Sequence, residues 1–425
     1  MPMSANNGER PSSRLFSLGV AGLLLLSSAL SACGPQGQAG QSSGGEAGTE
    51  VVQTASPAAT PIPTFTPTST PGTPTSTPTP VYTPTPLYTP TPASPPLANT
   101  PAPVNMRVPV HVPITTPLHP ANVNPLTGLE VGDPALLQRR PLMVRVGNDE
   151  SVRPQTGLAK ADVIYEEIMD GYWVTRLSAI YLAEDPPIIG PVRSARLVNL
   201  LLAPQYDAAL LHAGASDVIR WELSKSGITD LDEYFNQKAY FYDMNRDWRG
   251  RLFTGASIAR QYMQKKELEE PARLRGFVFS AEVEQSAVVT AATSIKIPYP
   301  KKTSAVQWKY DDASGRYLRW VLGLPHTDAA DGKQLSAANV IIYYAEHQET
   351  DIVEDDKGAT SIRIIVTGQG PASIFRDGVE MQGFWRTDGS QTPEFIDAAG
   401  AALPLKPGNS WIEIVPPGYG VEVTE

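Results

Sequence analysis

Between Glu50 and Arg107 the chain carries no charged residue, and the middle of that stretch reads TPTSTPTPVYTPTPLYTPTP. Such a segment builds no core. Its prolines remove backbone donors, and its threonines and serines bury too little apolar surface to offset the entropy of ordering it. Extended polyproline II is its favoured form, in which about 65 residues at about 3.1 Å each reach roughly 200 Å. Folding is thereby confined to the remainder of the chain, about 300 residues from Pro120 to Glu425, room for two domains or one large one. Residues 33–119 read as a tether whose threonines are open to O-glycosylation.

Ahead of the tether, Arg10 and Arg14 precede an apolar run from Leu15 to Leu30 and then small residues. This is the layout of a bacterial secretory signal, and the run is too short to span a bilayer comfortably. Leu30-Ser31-Ala32-Cys33 resembles a lipobox, and Cys33 is the only cysteine, so no internal disulfide can form. The expectation is a signal peptide over 1–32, acyl chains such as palmitate on Cys33, and an extracytoplasmic protein anchored to the membrane through that lipid.

The formal net charge is −10, and a signal carrying Glu9, Arg10 and Arg14 would leave the remainder one unit more negative. A broad grip on nucleic acid or anionic lipid is disfavoured. Any bound anion must meet a local cluster of cations, which draws attention to GPVRSAR, Gly190 to Arg196.

Within the folded part, Arg140–Asn148, Ala161–Met169, Thr175–Ala183 and Ala208–His212 read as strands, and Ser194–Ala203, Ser216–Ser224 and Gly255–Leu268 as helices. After about residue 286 nearly everything reads as strand: Ala305–Tyr310, Tyr317–Leu322, Asn339–Ala345, Ser361–Thr367 and Ser410–Val415. The pair Asp377-Gly378 signals a hairpin. These patterns predict an α+β protein of layered mixed sheets, with helices in an N-terminal α/β domain over 120–285 and an antiparallel, β-rich domain over 286–425. No glycine fingerprint for a dinucleotide occurs.

NPLTGL, RRPLMV, RPQTGLAKADVIYEE, TRLSAIY, IGPVRSAR and HAGAS in the first half, with YDDASGRYLRWVLGLPHTD, ANVIIYY, GQGPASIFRDGVEMQGFW and LKPGNSWIEIVP in the second, resemble the DUF3048 family, the YerB-like bacterial lipoproteins. The resemblance covers nearly everything after the tether. It implies that family's α+β fold on a lipid anchor outside the cytoplasmic membrane, and no established activity. One departure is DWRGRLF, Asp247 to Phe253, where relatives tend to carry a Pro-His-Asn-like segment.

Motifs of catalysis are sparse. The five histidines are scattered, no HExxH or paired Cys/His spacing suggests a metal, and no nucleophile elbow or phosphate loop occurs. No cofactor is expected. His212 and Ser216, four residues apart, read as a strand-end histidine and a helix cap rather than a base and nucleophile. Glu166 and Glu167 occupy adjacent strand positions, so they face opposite sides and share no proton; an arginine is the natural partner for the inward one. In GPVRSAR, Ser194 is placed to cap a helix flanked by Arg193 and Arg196. With Arg176 and Arg153 these form either a receptor for an anionic group or an internal lock on Glu166, Asp170 or Asp207.

Three functions are compatible with these features. The first is a tethered binding module that captures an anionic envelope component, a cell-wall polymer or a lipid-linked phosphate. A second is an enzyme of envelope-polymer metabolism, by analogy with LytR-type ligases whose arginines hold a lipid pyrophosphate. The third is a structural protein using exposed sheet edges and tryptophans such as Trp385 and Trp411, which read more readily as strand core than as a recognition platform.

Overall fold

The computed structural model describes residues 108–116, 118–283 and 289–425. The expected signal over 1–32, Cys33 and most of the tether lie outside them. Segment 108–116, assigned above to the tether, is hydrogen-bonded to the fold: Val112 N–H donates to the Ser390 carbonyl and Ile114 N–H to that of Arg273.

Apolar runs of period two become strands within two residues of the expected ranges: β1 Leu142–Gly147, β2 Val163–Ile168, β3 Thr175–Tyr181 and β4 Ala209–His212, with a short β5 at Asp230–Asp232. They form one half of an eleven-stranded mixed sheet, in the order β5-β4-β1-β3-β2. Next to β2 comes Ser410–Val415, from the end of the chain, followed by Asn339–Tyr344, Gly368–Arg376, Val379–Thr387 and Glu394–Ile396. The second half is antiparallel as expected apart from Ser410–Val415, which runs parallel to both neighbours. This strand welds the two halves of the sequence into one sheet. The hairpin at Asp377-Gly378 forms, with both residues at positive φ, 51° and 74°.

A six-stranded sheet packs on one face of the large one, built around Val306–Asp311 and Arg316–Val321. Alternation along these strands turns Val306, Trp308, Tyr317, Arg319 and Val321 inward. Trp308 meets Trp411 edge-on, ring centroids 5.3 Å apart, and Tyr317 meets Phe375.

Three helices, α1 Asn199–Gln205, α2 Asp217–Lys225 and α3 Ala256–Lys265, occur among the described residues. The last two match their expected ranges closely. α1 does not: it starts five residues after Ser194 and runs through Pro204 instead of stopping before it. The reason is tertiary. Val192 N–H donates to the Leu252 carbonyl, Arg193 N–H to that of Arg145 and Ala195 N–H to that of Gly214, so the segment is held extended. Asn199 Oδ1 then accepts from Arg196 N–H at 2.8 Å. GPVRSAR is therefore an irregular crossing strand, not a helix N-terminus, and any anion there would meet side chains rather than a helix dipole.

Candidate functional site

Adjacent glutamates on β2 open onto opposite faces of the large sheet, and each finds an arginine. On the face covered by the second sheet, Glu166 takes Arg319 at 2.5 Å, and Arg319 also binds Glu413 on the neighbouring strand at 2.9 Å. All three side chains are fully buried. Glu166 and Glu413 stand directly opposite one another in the strand register, a repulsive arrangement unless a cation lies between them. Arg319 supplies it. Its guanidinium lies 4.2 Å from the Trp411 ring and 5.1 Å from that of Trp308, and its Nε donates to His326, whose ring reaches Gln155.

One cation between two carboxylates leaves a surplus negative charge in a dry core. Burial and the neighbouring Glu166 push Glu413 up to about 8 from its ordinary 4.5, against the pull of Arg319. Glu413 Oε2 has no partner, while its other oxygen accepts from Trp308 Nε1 and from Arg319. The folded protein keeps a proton that the unfolded chain has already released between about pH 4.5 and 8, so stability falls as pH rises through that window. Glu413→Gln preserves the bound acceptor and removes the titration. Thermal unfolding between pH 5 and 9 is expected to show a flatter profile for the variant than for the wild type; parallel profiles would contradict the assignment.

On the opposite face, Glu167 pairs with Arg145, which also donates to Ser178 Oγ at 2.6 Å, and Asn199 from α1 joins the same hydroxyl. Burial pulls Arg145 below and Glu167 above their ordinary values, each against the attraction of the other. Two residues along β3 from Ser178, and so on the same face, lies Arg176. Its Nη1 donates to the Ser194 carbonyl at 3.0 Å, its Nε is buried without a partner, and no carboxylate among the described residues lies within ion-pair distance. Arg176 is only 9% exposed. Burial first, then Arg196 and Arg145, push its pKa down to about 9.

The GPVRSAR arginines complete this side. Arg196 binds Asp170 at 2.7 Å and lies 3.4 Å from Glu354, whose other oxygen accepts from Ser216 Oγ at 3.1 Å. Arg193 reaches only the half-exposed Asp149, at 3.5 Å, and its own Nε is buried without a partner. Its stem packs on Gly147, where a Cβ would come within 2.9 Å of Arg193 Cγ, so a larger residue there would displace the Arg193 stem. Burial holds Arg193 below its ordinary value and raises Glu354 above its own.

Arg145, Arg176, Arg193 and Arg196 thus converge where β1 and β4 end, with Ser194 between them and its Oγ spent on the Ala213 carbonyl. Three expected members lie apart. Glu166 serves Arg319, not the GPVRSAR arginines, and Asp207 serves Arg140. Arg153 donates to the Thr303 carbonyl on the Glu166 side of the sheet. His212 is buried, hydrogen-bonded to Asp230 and the Gly214 carbonyl and not to Ser216, which is the structural role read for it; Ser216 stands at the α2 N-cap position without a side-chain bond to the helix. Of the possible internal partners, Asp170 is the one used. Arg145, Asp149 and Glu354 were not anticipated, whereas Glu167 was, as one of the two strand glutamates of which one would meet an arginine. Arg145 was the most legible of them, a cation in the otherwise apolar LMVRVG.

An open cavity of about 690 Å³ lies elsewhere, between Val112–Thr116 and Arg275, Arg386 and Glu394. Glu394 takes both of its arginines, and its remaining carboxylate, Asp388, accepts from Ser390. No group of three or more His, Cys, Asp or Glu side chains placed to hold a metal occurs among the described residues.

Fold and site together define an α+β protein of two packed sheets with an ion-paired core and an arginine-lined edge. Two family models match it, "Protein of unknown function (DUF3048) N-terminal domain" over residues 126–269 and its C-terminal counterpart over residues 295–412, and the chain belongs to the DUF3048 family. It is 29% identical over 305 residues to "Putative lipoprotein YerB" of Bacillus subtilis (strain 168), a match that spans 69% of this chain and 86% of that protein. The crystal structure of Bacillus subtilis YerB superposes with a TM-score of 0.62 at 25% identity, over 71% of this chain and 99% of that one.

Proposed function

We propose that this protein is a membrane-anchored, extracytoplasmic lipoprotein that binds an anionic component of the cell envelope through Arg176, Arg193 and Arg196. The observation that carries the reading is Arg176. A guanidinium that is nine-tenths buried, makes no ion pair although Glu167 stands opposite it in the register, and is crowded by Arg196 and Arg145 costs stability where it stands. Such a cost is expected where a cation waits for an external anion, because binding energy then offsets it. Asp170 already holds Arg196 at 2.7 Å, so the capacity left for an external anion lies mainly with Arg176 and Arg193: Asp149 is half-exposed at 3.5 Å from Arg193, and burial biases Glu167 and Glu354 toward their neutral forms. A planar fork suits phosphate or carboxylate equally. The tether, anchored by lipid on Cys33, would hold this receptor well clear of the membrane.

Titration calorimetry with inorganic pyrophosphate tests the reading. Binding draws on protonated Arg176, so affinity is expected to fall, by up to about tenfold, as pH rises from 7 to 10 through the value of about 9. Pyrophosphate itself gains negative charge over that range, which alone would strengthen binding. No heat at pH 7, or affinity that rises with pH, would sink the proposal.

A further inference from the structure

Three tryptophans, Trp173, Trp221 and Trp248, are 72%, 60% and 67% exposed, and the other strongly exposed aromatics among the described residues also fall between Tyr172 and Trp248. Their positions are not scattered in space. Trp173 lies in the loop after β2, three residues beyond the Asp170 that holds Arg196. Trp248 lies between Asp247 and Arg249, whose charges both act on Arg193. Its turn grows from Phe241–Tyr242 and Leu252–Phe253, and Leu252 accepts the Val192 N–H within GPVRSAR itself. Tyr234 follows β5, with Arg220 over its ring at 5.4 Å. Trp173 and Trp248 are therefore displayed on the two segments that carry charged neighbours of the GPVRSAR arginines, Asp170 for Arg196 and Asp247 with Arg249 for Arg193, and Trp248 has the Arg249 guanidinium 5.1 Å from its ring.

We infer that the ligand of this edge is an anionic glycan, whose charged groups enter the arginine cluster and whose sugar rings lie on Trp173 and Trp248. The inference rests on the anion-binding reading above and adds the chemistry on either side of the anion. A pyranose presents a face of C–H groups, which carries partial positive charge and matches the electron-rich face of an indole. Its hydroxyls would remain hydrated, as suits rings that are exposed rather than sunk in a dry pocket. A phosphodiester-linked and a uronate-containing glycan share this chemistry. An anionic bilayer fits less well: residues 213–251 hold seven acidic against six basic residues, so the surface carrying Trp221 and Trp248 offers no net positive charge.

The test uses the folded protein with four probes: inorganic pyrophosphate, glucosylated poly(glycerol phosphate), tetragalacturonate, and phosphatidylglycerol vesicles. The wild type is expected to bind pyrophosphate and at least one of the two glycans. In Trp173→Ala/Trp248→Ala glycan affinity should fall at least tenfold, while pyrophosphate affinity and melting temperature stay within error. Which glycan responds identifies the phosphate or the uronate as the anion. Pyrophosphate binding with no glycan bound, or with glycan affinity untouched by the double substitution, overturns the glycan and leaves the anion receptor standing. Tryptophan-dependent binding to vesicles with no glycan bound overturns it in favour of a membrane surface. Absence of pyrophosphate binding together with absence of glycan binding overturns both readings.

Discussion

Replacing Arg319 by methionine is expected to cost about 3–5 kcal/mol of stability at pH 7, the range for deleting one partner of a buried ion pair. The side chain is fully buried, so hydrophobic volume is largely kept and the loss is electrostatic. Glu166 and Glu413, opposite one another in adjacent strands, would face each other without a cation, and His326 would lose the donor to its Nδ1. These two glutamates lie on adjacent strands drawn from opposite halves of the sequence, and Arg319 ties both to the second sheet, so the damage falls where the halves of the chain meet. Urea denaturation at pH 7 should show the loss, and at pH 5 a smaller one, because the negative charge stranded by the substitution is then less costly to neutralise. A change under about 1 kcal/mol would mean that the triad is not a keystone.

Arg176→Met should move stability the other way. The wild-type guanidinium is desolvated and repelled by Arg145 and Arg196, so an isosteric apolar side chain relieves about 1–4 kcal/mol, less about 1 kcal/mol for the hydrogen bond to the Ser194 carbonyl. Arg196→Ala lacks this clean sign, since it would strand Asp170 and Glu354. A residue whose removal both stabilises the fold and abolishes binding belongs to function, not to architecture.

Much of the fold was legible because it depends on local periodicity. Alternation along ADVIYEEIM placed Glu166 and Glu167 on opposite faces, and Asp377-Gly378 announced its hairpin. What alternation cannot give is the identity of distant partners. Arg319 lies far along the chain from Glu166, and nothing local marks Ser410–Val415 as the strand that inserts parallel between the two halves. SARLVNLLLA has helical propensity throughout, yet its first residues are extended because cross-bridges to Arg145, Leu252 and Gly214 outcompete a first helical turn. The site was half legible for the same reason. GPVRSAR stood out by its charge, and Asp170 was among the partners weighed for it. Arg176 could be named, but that it makes no ion pair, its cross-strand neighbour Glu167 being taken by Arg145, appears only when the sheet is assembled.

The functional reading turns on an unpaired, buried Arg176 held ready for an anion. The decisive experiment is calorimetric titration of pyrophosphate into wild type and Arg176→Met at pH 7, with melting temperatures recorded on the same samples. Expected are binding to the wild type, a loss of at least tenfold in the variant, and a variant melting temperature above that of the wild type. A variant that melts lower and binds as well as the wild type would contradict it.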